Sequence, residues 1–155
     1  MVMNMLFQRI NRTDAEKVFV VLYNVAGATV SAGGAVGLDI GASADGVRAT
    51  VVTTALLNAF AGIAAEAIVD SAYGKVQVYG YNSAAYVTNL TDVVITSGSS
   101  LGLKDAVTYL TYTTGSTAAW VNGAGLSRVN IVEAFATATA GAVAAATKKV
   151  FVRNL

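Results

Sequence analysis

A chain of 155 residues with neither Cys nor His is long enough to bury a core without covalent staples, but it cannot build a disulfide framework, a thiolate or imidazole metal site, or a Ser-His-Asp triad. Ten basic and nine acidic residues leave a net charge of +1 and form no basic stripe, so nucleic acid is not an expected direct partner. Charged residues are only 12% of the chain, against about 25% in an average domain, while 55% are hydrophobic and mean hydropathy is +0.59; either the surface is dressed in Thr, Ser and Ala, or much of it is covered by neighbours, because exposed apolar area on this scale invites aggregation.

In chain order, Met1–Asp14 mixes Met3, Met5, Leu6, Phe7 and Ile10 with Arg9 and Arg12 and keeps no long period. It reads either as a frayed terminus or as an arm that docks on a partner, with Leu6 and Phe7 as anchors. The expected organisation is therefore an N-terminal arm over residues 1–15 and a single body over 16–155. The opening residues lack a charged region followed by a long apolar stretch, so no secretory signal is expected.

Lys17–Val25 is dense in β-branched and aromatic residues and reads as a strand. Gly27, Gly33 and Gly34 then mark turns. Ala35–Ile40 is a short strand candidate, 41–46 a loop, and Val47–Thr54 a strand. Segment 55–72 is ambiguous. Leu56, Phe60, Ile63 and Ala67 keep helical spacing, yet Gly62 interrupts it; the reading is strand to Ala64, then one helical or 3₁₀ turn near Glu66–Ala72. Gly74–Tyr81 shows the cleanest alternation, with Val76 and Val78 on one face and Lys75, Gln77 and Tyr79 on the other. Gly74 fits a turn before that strand, and Gly80 a bulge or a close backbone approach. Strands continue at Ala84–Asn89, Asp92–Thr96, Leu101–Lys104 and Ala106–Tyr112. Ala118–Val121 carries Trp120, and Asn122-Gly123 signals a hairpin. Arg128–Phe135 alternates again. Thr147–Arg153 closes the chain with Val150 and Val152 inward and Lys149, Phe151 and Arg153 outward. Short strands every 8–12 residues or so, joined by Gly turns, indicate an all-β body of barrel or sandwich type.

Two charge-free runs, Val18–Leu38 and Ala106–Ser127, approach membrane-spanning length. Both are broken by Gly, Thr, Ser and Asn, so they read as strand and loop and no membrane partner is expected.

Few constellations suggest chemistry. Asp39 and Asp45 flank Gly41, but the alternating acidic pattern of a calcium loop is missing. Glu66 and Asp70 would share a helix face, with nothing to make them a catalytic pair. The glycines around Gly27 and Gly33 lack the Lys-Ser/Thr of a phosphate loop. Neither a catalytic group, a metal site nor a cofactor is expected. Trp120, Tyr79, Tyr81, Tyr109 and Tyr112 suit an interface patch or, more commonly, half-buried cross-strand packing.

The stretches Phe60-Ala-Gly-Ile-Ala-Ala-Glu66, Tyr73-Gly-Lys-Val-Gln-Val-Tyr-Gly-Tyr81, Gly98-Ser-Ser-Leu101, Arg128–Phe135 and Thr147-Lys-Lys-Val-Phe-Val-Arg153, taken in order, are similar to small virion proteins of tailed bacteriophages, namely the head decoration (cement) proteins. The resemblance covers roughly residues 18–155 and its motifs are Gly and Val patterns. It implies a β-barrel or β-tulip body with an extended N-terminal arm, seated on the outer surface of the capsid, often as a homotrimer at threefold positions. The implied partners are the major capsid protein and the chain itself. No catalytic residue accompanies it. The expected contact residues are Met5, Leu6, Phe7, Arg9 and Ile10 of the arm, and Trp120. Other readings stay open at this point: a tail-tube, connector or spike subunit, a carbohydrate-binding β module using Trp120 and the tyrosines, or an enzyme working with Lys, Tyr or carboxylates.

Overall fold

The computed structural model describes residues 16–41, 46–51, 59–88, 95–103, 107–112, 129–132 and 145–154. Among these there is no helix; the residues form strands β1 (Lys17–Asn24), β2 (Ala35–Leu38), β3 (Arg48–Thr50), β4 (Phe60–Ala64), β5 (Tyr73–Thr88), β6 (Ser100–Leu103), β7 (Leu110–Tyr112), β8 (Val129–Ile131) and β9 (Ala145–Arg153). The all-β expectation is met. All nine belong to one mixed sheet in the order β1-β3-β2-β4-β5-β7-β6-β8-β9, with β1 and β9 also pairing with β5.

Those two additional pairings close the sheet on itself. Strands β1, β3, β2, β4 and β5 form one ring, and β5, β7, β6, β8 and β9 form a second, so β5 is common to both. Its 16 residues make this possible. Antiparallel β1 runs beside Tyr73–Gly80 and antiparallel β9 beside Tyr79–Thr88. Tyr79 and Gly80 pair with both, which puts β1 and β9 on opposite edges of β5.

Each ring closes over its own apolar cluster. Leu22, Val30, Val36, Ala49, Ala61, Ala64, Ile68 and Val76 pack together in the first. Ala85, Val87, Ile95, Leu101, Leu103, Leu110, Val129, Ile131, Val150 and Val152 pack in the second, joined by Ala35, Phe60 and Ile63 from β2 and β4. Neighbouring residues of β2 and β4 thus feed different clusters, and every residue of β4 is buried. This explains why Phe60–Ala64 lacks polar alternation: a strand covered on both faces reads as a continuous apolar run. Burying a Val, Leu or Ile side chain contributes about 1.5–3 kcal/mol.

Polar side chains serve backbone that the strands leave unpaired. Buried Asn24 donates from Nδ2 to the carbonyls of Ala28 and Ile68, both at 2.9 Å, and its Oδ1 accepts from the Ala26 amide. Asn154 donates from Nδ2 to the carbonyls of Phe60 and Ala61 at 3.0 and 2.7 Å. The turn before β2 is tied to both rings. The Gly33 amide donates to the Ala64 carbonyl, and the Gly33 carbonyl accepts from the Tyr86 amide; a Cβ at Gly33 would run into the Ala84 carbonyl.

Several expectations need correction. After β4 the chain bends and turns, touching Val30 through an isolated bridge at Ile68, so no helical or 3₁₀ turn forms near Glu66–Ala72. The Ile68 bridge claims the backbone bonds a helix would use. Gly74 lies inside β5, not in a preceding turn, and a Cβ there would come within 2.5 Å of the Ile68 side chain. Gln77 is buried although Lys75, two residues away, is exposed. The inward places of Val150 and Val152 hold, with Arg153 exposed and Phe151 half-buried. The arm, residues 1–15, lies outside the described residues.

Candidate interface at the free edge of the first strand

Sequence Val18–Leu22 is an uninterrupted apolar run, the pattern of a strand buried on both faces. The structure places it differently. Phe19, Val20 and Val21 are 43%, 38% and 57% exposed, and burial begins only at Leu22. The reason is topological. One edge of β1 pairs with β5 along Lys17–Tyr23, but the other pairs with β3 only at Tyr23 and Asn24.

The hydrogen bonds fix which atoms this edge presents. The Tyr23 amide donates to the Val47 carbonyl and the Val25 amide to the Ala49 carbonyl, away from β5; the Asn24 amide between them donates to the Ala72 carbonyl on the β5 side. Backbone groups alternate along a strand. The N–H and C=O of Val21 and Phe19 therefore point off the sheet, and no described residue pairs with them. Strand edges of this kind are usually blunted by charge, Pro or a bulge. Here Val18–Leu22 carries no charge. Beside it, Tyr73 is 66% exposed, its ring 5.0 Å from that of Tyr23 across the β1–β5 ladder.

Three further tyrosines, Tyr79, Tyr86 and Tyr109, pack against rings of neighbouring segments. Tyr79 meets Phe151 edge-on at 5.5 Å, with the Arg153 guanidinium over the Phe151 ring, and Tyr86 lies 5.7 Å from Tyr109. Three of the carboxylates weighed for chemistry, Asp39, Glu66 and Asp70, accept from backbone amides. Asp39 Oδ1 accepts from the Gly41 amide at 3.3 Å, Asp70 Oδ1 from the Gly27 amide at 2.9 Å, and Glu66 Oε1 from the Lys75 amide at 3.1 Å. Glu66 and Asp70 share no helix face, because no helix forms there. Among the described residues no three His, Cys, Asp or Glu side chains converge as a metal site would require, and no helix is long and apolar enough to cross a membrane.

Met5, Leu6, Phe7, Arg9, Ile10 and Trp120, the contact residues expected from sequence, all lie outside the described residues, as does Asp45. Phe19, Val20, Val21 and Tyr73 were not among those expected. Composition flags them as strand formers, but whether a strand has one paired edge or two is decided by partners distant in sequence.

No family model matches this chain, and no curated protein matches its sequence.

Proposed function

We propose that this chain is a structural virion subunit, a decoration protein that binds the outside of a bacteriophage capsid lattice and reinforces it, with the major capsid protein and further copies of itself as partners. The observation that carries this reading is the free edge of β1. An uncharged strand edge flanked by exposed Phe19, Val20 and Val21 is a hazard for a solitary protein and an asset for one that meets a protein neighbour. The resemblance of Phe60–Glu66, Tyr73–Tyr81 and Thr147–Arg153 to cement proteins supplies the kind of assembly. Low charge density suits broad, close contact, and repetition over a symmetric lattice multiplies a modest contact into a large effect.

The test is cryo-electron microscopy of the particle that carries the chain, paired with re-addition of purified protein to stripped shells. Density over capsomer junctions, saturable binding and a raised shell melting temperature are expected. Shells that take up none of the protein would sink the proposal. Density confined to the neck or tail would make the chain a connector, tube or spike subunit instead.

A further inference from the structure

We infer that the chain is one five-stranded unit present twice, the second copy fused to the first through β5. This goes beyond the proposed function and does not depend on it.

The pairing scheme carries the inference. In the first ring β1 runs parallel to β3, and the other neighbours are antiparallel: β3 with β2, β2 with β4, β4 with β5, β5 with β1. Put β5–β9 in place of β1–β5, in chain order, and the second ring follows. There β5 is parallel to β7, while β7 with β6, β6 with β8, β8 with β9 and β9 with β5 are antiparallel. One parallel pair in an otherwise antiparallel ring could fall at any junction, yet it joins the first and third strands both times.

Apart from the β-bulges, the registers repeat as well. Ala35 pairs with Ile63, Ile63 with Gln77 and Gln77 with Phe19. At the equivalent places Ser100 pairs with Asn130, Asn130 with Phe151 and Phe151 with Tyr81. Hydrogen bonds beyond the ladders recur too. The Gly33 amide donates to the Ala64 carbonyl, the Ala64 amide to Gly34 and the Ala65 amide to Lys75; their counterparts are Gly98 to Ile131, Ile131 to Ser99 and Val132 to Lys149. Gly33 and Gly98 hold φ of +85° and +86°. Val36, Ala64 and Val76 fill the first cluster where Leu101, Ile131 and Val150 fill the second. Once the strands are aligned, a faint repeat shows in the sequence: Val-Ser-Ala-Gly-Gly-Ala-Val-Gly-Leu at Val30–Leu38 against Ile-Thr-Ser-Gly-Ser-Ser-Leu-Gly-Leu at Ile95–Leu103.

Where the units differ, they differ as the ends of a short array do. Ala35 and Ile63 of the first unit pack into the second cluster. Their counterparts, Ser100 and Asn130, are polar and half-buried, and Asn130 Nδ2 caps the Gly98 carbonyl at 3.2 Å. Terminal units of repeat arrays carry such a polar outer face. At the seam between units, the Tyr86 amide donates to the Gly33 carbonyl and the Ala35 amide to the Thr108 carbonyl. The equivalent atoms of the first unit meet directly, the Tyr23 amide on the Val47 carbonyl. The series is thus closed at both ends and stops at two.

Reciprocal grafts in the full-length protein test this. Writing the Val30–Leu38 sequence over Ile95–Leu103 (I95V, T96S, S97A, S99G, S100A, L101V) should keep the circular dichroism spectrum and a single transition, melting within about 10 °C of the native protein. The reverse graft (V30I, S31T, A32S, G34S, A35S, V36L) should melt far lower or fail to fold. It puts a Cβ at Gly34, 2.9 Å from the Ser31 carbonyl and 3.2 Å from Thr108 Cβ, and a hydroxyl at the buried Ala35. Loss of the fold in the first graft would overturn the equivalence of the units. A reverse graft as stable as the first would overturn the assignment of the ends.

Discussion

Gly80 sits where three strands touch, pairing with Lys17 of β1 and Val152 of β9. Its φ is +100°, and a Cβ there would collide with the Glu16 carbonyl. Gly80→Ala is expected to cost about 3 kcal/mol or more, since strain and steric overlap act together. Gly27 has a φ of +72° but open space around it, so Gly27→Ala should cost only about 1–2 kcal/mol. Urea unfolding of the two variants will rank them, and equal losses would mean that the backbone at Gly80 relaxes freely. Thr111 offers the opposite case. It is fully buried, and its hydroxyl finds no hydrogen-bond partner among the described residues. Thr111→Val removes an unsatisfied polar group and keeps the shape, so it should leave stability unchanged or raise it by about 1 kcal/mol. A loss above that range would expose a hidden partner for the hydroxyl. Gly80 was readable in the sequence as a bulge or close approach, because a glycine inside a clean alternation has few other reasons to be there. Thr111 was not, since nothing local distinguishes a buried Thr from a surface one.

Single strands were legible where their neighbours agree with their own pattern. Lys17–Val25 and Thr147–Arg153 are strands within a residue or two of the expected bounds, because β-branched and aromatic residues fill them. The segment Gly74–Tyr81 is part of a strand twice that length, and its alternation breaks for a reason outside the period. The β1 register slips between Val18 and Phe19, leaving Val78 as an extra residue on β5. Beside that slip, Gln77 donates from Nε2 to the carbonyls of Tyr79 and Tyr81 at 3.2 and 3.1 Å, while its Oε1 accepts from Asn82 Nδ2 at 3.0 Å. The glutamine thus bridges backbone that the irregular strand leaves over. Gln77→Leu should cost about 1–3 kcal/mol, because the part-buried carbonyls of Tyr79 and Tyr81 lose their donor and Asn82 its acceptor. A double-mutant cycle with Asn82→Ala should show a coupling of about 1 kcal/mol, and additive losses would mean that the two side chains act independently. For the candidate interface, the sequence supplied the apolar run Val18–Leu22 but not its exposure. An apolar strand looks the same whether both edges are paired or one is open.

At the scale of the whole chain, two rings and two apolar clusters resemble two units, but the described strands argue otherwise. Strand β5 belongs to both rings, and β2 and β4 feed both clusters. Unfolding is therefore expected as one cooperative transition, with calorimetric and van't Hoff enthalpies equal. A Val36→Ala variant, which opens a cavity in the first cluster at a cost of roughly 1–3 kcal/mol, should lower that single transition rather than split it; two resolved transitions would show that the rings melt separately. The sequence announced an all-β body through its Gly turns and short strands, yet ring closure depends on β5 meeting β1 and β9, pairings that no local pattern encodes. This meeting at Tyr79 and Gly80 has a further consequence. The first and last of the described strands flank the same two residues, so Lys17 and Val152 stand two strand spacings apart, about 10 Å. A linker of a few residues can bridge that gap. The described strands are thus topologically close to circular: with Val152 linked to Lys17 in place of the terminal residues and the chain reopened at the exposed turn around Gly27, they would rebuild the same sheet from a new beginning.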